Sequence, residues 1–114
     1  MKFSTVRTFA LSLPEVSEAP HHDFGSFRVT GKIFVTVPPG ETHLHVFVDD
    51  DQRERALVVY PAWTEKLLWG GKVVGLRVEL AKADAAAVKR LVRAAWERKA
   101  PKRLVAGAKE TRST

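Results

Sequence analysis

Two lysines that directly follow turn glycines are the residues best suited to bind a charged partner. Lys32 follows Gly31 within FRVTGKIFVTV (27–37), and Lys72 follows a glycine pair within KLLWGGKVVGLRVEL (66–80). Alternating apolar residues on both sides of each turn predict two β-hairpins, with a cation at each tip. Such cations neutralise phosphates and release counterions, which is the main source of nucleic-acid affinity. The alternative is that both lysines stay solvated and keep the end of a sheet soluble.

The positive charge of the chain is concentrated near its C-terminus. Residues 1–88 carry ten basic and eleven acidic side chains, whereas residues 89–114 carry nine basic and two acidic ones. The formal net charge of +6 therefore comes from the last predicted helix and the tail. Such a surface attracts polyanions over long range, although a basic tail is also a common solubility feature. The candidate phosphate contacts here are Arg93, Lys102 and Arg103.

One face of the predicted sheet is a second candidate surface. In the expected pairing register, six side chains point the same way: Arg28, Phe34, His43, His45, Phe47 and Arg77. Aromatic rings interleaved with arginine can stack nucleic-acid bases. The preferred alternative is that a helix or a partner subunit covers Phe34 and Phe47, because a contiguous apolar patch usually marks an interface.

The sequence offers little for metal or enzyme chemistry. It contains no cysteine, which excludes disulfides, Cys-ligated zinc and thiol nucleophiles. Histidines at 21–22 and at 43 and 45 would need a further ligand such as Asp23 or Glu41, and no signature spacing connects them. Nothing places a base beside a nucleophile. We therefore expect neither enzyme activity nor a cofactor.

A two-layer α+β domain is predicted to position these residues. The apolar periodicities give the element order α-β-β-β-α-β-β-α over residues 1–100, followed by a basic tail without clear periodicity at 101–114 that should fray towards its end. The strands form an antiparallel sheet with the helices on one face. Residues 14–25, between the first helix and the first strand, are predicted to form a loop.

Helix caps can also be assigned from residue types. Asp51 and Glu54 have capping-box spacing for the second helix, and Asp84 precedes the last helix as an N-cap.

The apolar pattern predicts which side chains are buried. Trp96 lies on the apolar stripe of the last helix and is predicted to be part of the core. Trp63 and Trp69 flank a strand and are also predicted to have a structural role rather than to bind a ligand. The buried side of the last strand is predicted to consist of Val74, Leu76, Val78 and Leu80.

Four segments, in order along the chain, resemble the MmcQ/YjbR family. They are FALSLPEV (9–16), FGSFRVTGKIF (24–34), GGKVVGLRV (70–78) and AWERKAPKRLV (95–105). The resemblance implies a compact α+β domain similar to that of type III secretion chaperones, and a DNA-binding protein with a double-wing arrangement. One departure is that the second hairpin of the family often has an aromatic residue just after its basic turn, whereas Val73 and Val74 follow Lys72 here.

The predicted function is non-specific binding of duplex DNA in the cytoplasm through phosphate contacts. The predicted contact residues are Arg28, Lys32, Lys72, Arg77, Arg93, Lys102 and Arg103. The alternative is a protein-interaction module that pairs with a protein partner, or with a second copy of the chain, through the open sheet face. No membrane association is expected, because the longest uncharged apolar stretch, at 56–63, is far shorter than the ~18 residues of a spanning helix.

Overall fold

A six-stranded antiparallel sheet with helices on one face forms the domain in the computed structural model. The structure describes residues 1–113, with side chains described as far as Gly107. The elements are α1 (Phe3–Ser12), β1 (Val16–His21), β2 (Phe24–Val29), β3 (Lys32–Val37), β4 (His43–Val46), α2 (Asp50–Val59), β5 (Thr64–Trp69), β6 (Lys72–Glu79), α3 (Ala85–Lys99) and α4 (Lys102–Ser113). The strand order is β1-β2-β3-β4-β6-β5, and a short 3-10 turn joins β6 to α3. This architecture confirms the predicted α+β fold and its order, with β1 and α4 as additions.

The predicted loop at 14–25 is wrong, because half of it forms β1 and its last two residues begin β2. The strand pairs with β2 along its whole length, from Val16 opposite Val29 to His21 opposite Phe24. It contains a proline and few apolar residues, so its sequence has no strand signal. A proline is tolerated because β1 is the edge strand, where one row of backbone N–H groups needs no partner.

The C-terminal tail, for which no regular element was predicted, forms helix α4 (Lys102–Ser113). Leu104 and Val105 at its start pack against the main core, and the backbone N–H groups of both donate to the Pro101 carbonyl. Tertiary contacts of these two apolar residues, rather than periodicity, anchor the helix. The expected fraying towards the C-terminus lies outside the residues whose side chains are described.

The core lies between the sheet and helices α1 and α3. Trp96 is fully buried, and its indole N–H donates to the Pro14 carbonyl at 3.1 Å. Trp63 is also buried, so both predictions are confirmed. The prediction for Trp69 is wrong, because its side chain is 78% exposed beside the second hairpin turn.

A β-bulge explains why the predicted burial of Val74 is wrong. Leu67 pairs with Gly75 and Leu68 pairs with Val73, which leaves Val74 as an extra residue on β6. Its side chain is 37% exposed. The other residues of the predicted set, namely Leu76, Val78 and Leu80, are buried as expected.

One of the two predicted caps is confirmed. Asp84 accepts a hydrogen bond from the Ala87 N–H at 2.9 Å and begins α3. The cap of α2 is Asp49, which accepts from the Gln52 N–H at 2.8 Å, and not Asp51, which lies inside the first turn. The run of three aspartates made the choice ambiguous in the sequence.

Candidate functional site

The tips of the two predicted hairpins lie at the same end of the sheet. β3 and β6 are both antiparallel to the strand between them, β4, and are therefore parallel to each other. Lys32 begins β3 and Lys72 begins β6, and both side chains are exposed. Two strand spacings, about 10 Å, separate β3 from β6 where both pair with β4. Both hairpins are thus present, and the antiparallel topology brings their cations to one side of the molecule.

Both hairpin turns are tight two-residue turns. Thr30 and Gly31 have φ of 48° and 85°, and Gly70 and Gly71 have φ of 57° and 79°. Positive φ at both central positions matches the twist of the flanking strands. Threonine rarely adopts this conformation, so the first turn is maintained against a local backbone preference. Each lysine that follows is therefore held at a defined position beside a rigid turn.

The C-terminal end of α3 adds two cations that sequence reasoning missed. The Arg98 guanidinium donates to the carbonyls of Phe47 (3.2 Å) and Val48 (2.8 Å), just beyond β4. Burial, followed by the charges of Arg98 and Lys32, lowers the pKa of Lys99. Helix α3 packs against β3, which begins at Lys32, so the three cations lie on the same side of the molecule. We call these three residues and Lys72 the basic end of the sheet.

Two of the predicted cations in the C-terminal part are paired with carboxylates. Arg103 lies 2.9 Å from Glu15, and Arg93 lies 3.2 Å from Glu97. Lys102 is exposed at the start of α4. Glu15 directly precedes β1, whose first residue pairs with the last residue of β2, so Arg103 lies near the first hairpin tip. The Arg103–Glu15 pair is exposed, so it adds little stability, and a phosphate can compete for the arginine.

Acidic residues also lie at this end of the sheet. Asp49, Asp50 and Asp51 begin α2 directly after β4, which runs between the two hairpins. Asp50 is paired with Arg53 at 2.7 Å. The density of positive charge is consequently highest on the side of the first hairpin, where α3 ends. Lys72 lies on the other side of β4 from these cations.

Arg77 lies on the open sheet face and not at the basic end. It belongs to a row of directly opposed residues that crosses the sheet in the order Ser26, Thr36, His45, Arg77 and Glu65. Its guanidinium contacts Glu65 at 3.1 Å and the Nε2 atom of His45 at 2.9 Å. Its hydrogen-bonding groups are thus directed within the sheet face.

Arg28 is likewise held on the open sheet face. Its Nε donates to the Ser26 hydroxyl at 3.2 Å, and its Nη2 donates to the Pro20 carbonyl at 3.4 Å. The structure therefore divides the predicted contact residues into two groups on different surfaces. Arg28 and Arg77 belong to the sheet face, and the remaining cations belong to the basic end and the C-terminal helices.

Phe34 does not lie on the open sheet face, so its predicted orientation is wrong. Phe27 pairs with Val35 and Arg28 pairs with Ile33, so Phe34 is the extra residue of a bulge on β3. It is fully buried in the core. The bulge interrupts the alternation from which its outward orientation was predicted.

His45 is neutral at physiological pH. Burial lowers the pKa of His45 from 6.5 to about 4, and the charges of Arg77 and His43 act in the same direction. A guanidinium has no acceptor, so the Nε2 atom of His45 must accept the hydrogen bond from Arg77. The ring proton is therefore on Nδ1, which leaves that atom as a donor.

A cleft of about 530 Å³ lies on the open sheet face. The side chains of Phe24, Phe47, Leu67, Trp69 and Val74 give it largely apolar walls. Thr36, His45 and the pair His21 and His22 contribute its polar groups, and Leu68 completes the lining. The helices of the described part of the chain pack on the other face of the sheet. Phe34 points to that face and is covered, as predicted. Phe47 lines the open cleft, so the prediction that a helix covers it is wrong.

The histidines and carboxylates considered as metal ligands do not converge. Among residues 1–107, whose side chains are described, no group of three or more His, Asp or Glu side chains is placed to hold a metal ion. In the same part of the chain, no helix combines the length and the apolar character that a membrane-spanning segment needs.

Comparisons with known proteins agree with this fold. The family model described as YjbR matches residues 11–98. A crystal structure of Deinococcus radiodurans protein DR2400, with a DUF419 domain, superimposes with a TM-score of 0.70 at 16% sequence identity, over 83% of this chain and 75% of that one. At this identity the likeness concerns the fold alone. A search of curated proteins found no match.

Proposed function

This chain belongs to the YjbR family, and we propose that it is a binding protein that contacts the phosphates of duplex DNA through the basic end of the sheet. The observation that carries the proposal is the placement of Lys32 and Lys72 at two hairpin tips on the same end. The strands that begin with these lysines are about 10 Å apart where β4 pairs with both, a spacing comparable to the major-groove width of about 12 Å. The two lysines are thus spaced to reach phosphates on opposite sides of a groove.

The second support is the charge density beside the first hairpin. The closeness of Lys32, Arg98 and Lys99 lowers the pKa of Lys99 in addition to the effect of burial. Like charges held together in this way are relieved when an anion binds between them. Phosphate contacts carry no sequence information, so the proposed binding is non-specific. The first hairpin should contribute more affinity than the second, because α3, which ends with Arg98 and Lys99, packs on β3, whereas α2, which begins with the aspartates, packs on β5 and β6 beside Lys72.

A pair of charge-matched double variants tests this proposal. Lys32→Glu with Lys72→Glu reverses both tips. Lys2→Glu with Lys82→Glu makes the same change in net charge at the opposite end of the sheet, where the N-terminal amine donates to the Leu80 carbonyl. The measurement is fluorescence anisotropy of a labelled DNA duplex over a salt series.

The wild-type protein should bind with an affinity that falls steeply with salt. The tip variant should lose binding, with the slope of log K against log salt reduced by about 0.9 for each phosphate contact removed. The control variant should retain most of the affinity. Equal losses in both variants would show that only net charge matters and would overturn the assignment of the tips. The predicted pairing with another protein through the sheet face stays a prediction.

A further inference from the structure

We propose that the cleft on the open sheet face is a binding site for a small uncharged ring compound, a role separate from the proposed binding of DNA. Its volume of about 530 Å³ lies within the range of roughly 300–1,000 Å³ that is typical of small-molecule sites. It lies on the face that carries Arg77 and His45, away from the core and from the helices that cover the other face.

The walls of the cleft determine the class of ligand. Aromatic rings of Phe24, Phe47 and Trp69 can stack on a planar compound, and Leu67 and Val74 add aliphatic contacts. None of the described residues that line the cleft is Asp, Glu, Lys or Arg. A charged ligand would therefore lose hydration without gaining an ionic partner, which favours an uncharged one.

A fixed polar group gives the cleft an orienting contact. The His45 ring is held by the Arg77 guanidinium at 2.9 Å, and Arg77 is in turn held by Glu65 at 3.1 Å. Burial, followed by the charge of Arg77, keeps the imidazole neutral. The contact with Arg77 leaves the ring proton on Nδ1, and Glu65 balances the arginine charge behind it. Together with the Thr36 hydroxyl, this imidazole supplies the few placed polar groups that fix a ligand's orientation in an apolar site.

The floor of the cleft is preformed by a close contact at Gly75. A Cβ atom at this position would lie 2.8 Å from the Val46 carbonyl oxygen and 3.3 Å from Cδ1 of Phe47. Glycine thus allows the Phe47 ring to lie directly against β6. A site that needs no rearrangement retains more of its contact energy as affinity.

The size and shape of the cleft favour a small molecule over a protein partner. Ten described residues line it, whereas a stable protein interface uses about 20–30 residues on each side. Trp69, at 78% exposure, lies on the rim, where a bound ring would cover it. A concave apolar site of limited extent with an exposed aromatic rim is typical of ligand clefts.

The test uses N-phenyl-1-naphthylamine, an uncharged dye whose fluorescence rises in apolar sites, with the full-length protein. We expect saturable binding of one dye per chain, with energy transfer from Trp69. Val74→Lys places a charge in the cleft and should weaken binding at least tenfold. Val58→Lys is the matched control, because Val58 is 80% exposed on α2 and does not line the cleft. Circular dichroism and urea unfolding establish that both variants are folded.

Trp69→Ala is a second variant that keeps the test independent of charge. The side chain is largely exposed, so its removal should leave the fold intact while it weakens dye binding and reduces the energy transfer, to which Trp63 and Trp96 also contribute. Absence of saturable binding by the wild-type protein would overturn the proposal, as would equal binding by the Val74→Lys and Val58→Lys variants. A stable dimer in solution that binds no dye would also overturn it, in favour of a second copy as the occupant of the cleft.

Discussion

The guanidinium of Arg77 donates a hydrogen bond to Nε2 of His45 across two adjacent strands, at a distance of 2.9 Å. The two residues are directly opposed in the β4–β6 register, so the contact is a cross-strand pair on the open face. Glu65, opposite Arg77 on β5, completes a three-strand chain of polar contacts. This chain connects the wall of the cleft to the edge of the sheet.

The lowered pKa of His45 predicts that the protein loses stability in mild acid. Between pH 6.5 and about 4, the unfolded chain binds a proton at this histidine that the folded chain does not bind, so stability falls as pH decreases through this window. From pH 7 to pH 5 this group should contribute a loss of about 2 kcal/mol in the free energy of unfolding.

Urea unfolding of the wild type and of His45→Gln at pH 7 and pH 5 measures this contribution. Glutamine retains an acceptor for Arg77 but does not titrate, and the other three histidines are present in both proteins. The variant should show a smaller loss of stability at pH 5. Identical pH dependence in the two proteins would contradict the assignment of the effect to His45.

The ion pair between Arg103 and Glu15 predicts that removing the carboxylate strengthens DNA binding. Glu15→Gln releases Arg103 for a phosphate, which should raise duplex affinity and steepen the slope of log K against log salt by up to about 0.9. Glu41→Gln is the matched control: Glu41 lies in the β3–β4 turn at the opposite end of the sheet and has a similar φ of 57° against 56° for Glu15. Anisotropy with the same labelled duplex checks both, and an equal gain in the control would show an effect of net charge alone.

The close approach at Gly75 predicts different effects of alanine at two strand glycines. Gly75→Ala places a Cβ 2.8 Å from a backbone carbonyl and should destabilise the fold by roughly 1–3 kcal/mol. Gly25→Ala meets only the Cβ of Val37 at 3.7 Å, an ordinary contact, and should change stability little. Urea unfolding of the two variants decides the point; similar stabilities would mean that β6 shifts freely to accommodate the methyl group.

The cap of α2 predicts unequal effects of alanine at two neighbouring aspartates. Asp49→Ala removes the acceptor for the Gln52 N–H and should lower the free energy of unfolding by about 1 kcal/mol. Asp51→Ala removes the same charge without removing the cap, so it should have a smaller effect. Thermal unfolding of both variants under one buffer condition provides the comparison, and a larger loss for Asp51→Ala would restore the cap that the sequence suggested.

Local sequence signals were sufficient for most of the secondary structure. The glycine turns with flanking alternation identified both hairpins, and Asp84 identified the start of α3. The helical stripe that contains Trp96 identified the main helix of the core. Each of these features is encoded by residues within a few positions of one another, which is why the α+β class and the order of its elements could be predicted.

The candidate sites were predicted only in part, because they depend on pairing between distant segments. Phe34 and Val74 are extra residues at bulges, and a bulge is defined by the partner strand rather than by the strand that contains it. Arg98 and Lys99 lie on the side of Lys32 because α3 packs on β3 and ends beside the residues that follow β4. No local pattern in the sequence indicates that approach.

Turn chemistry and periodicity are local, so the two basic-tipped hairpins, the antiparallel sheet and the amphipathic helix over the core could be predicted from the order of residues. The three-dimensional arrangement, by contrast, is what brings both tips to one end of the sheet and directs Arg28 and Arg77 into the sheet face. It also decided that an apolar cleft remains open opposite the helices. These outcomes follow from strand order and register, in which residues far apart in the chain become neighbours through hydrogen bonding and burial.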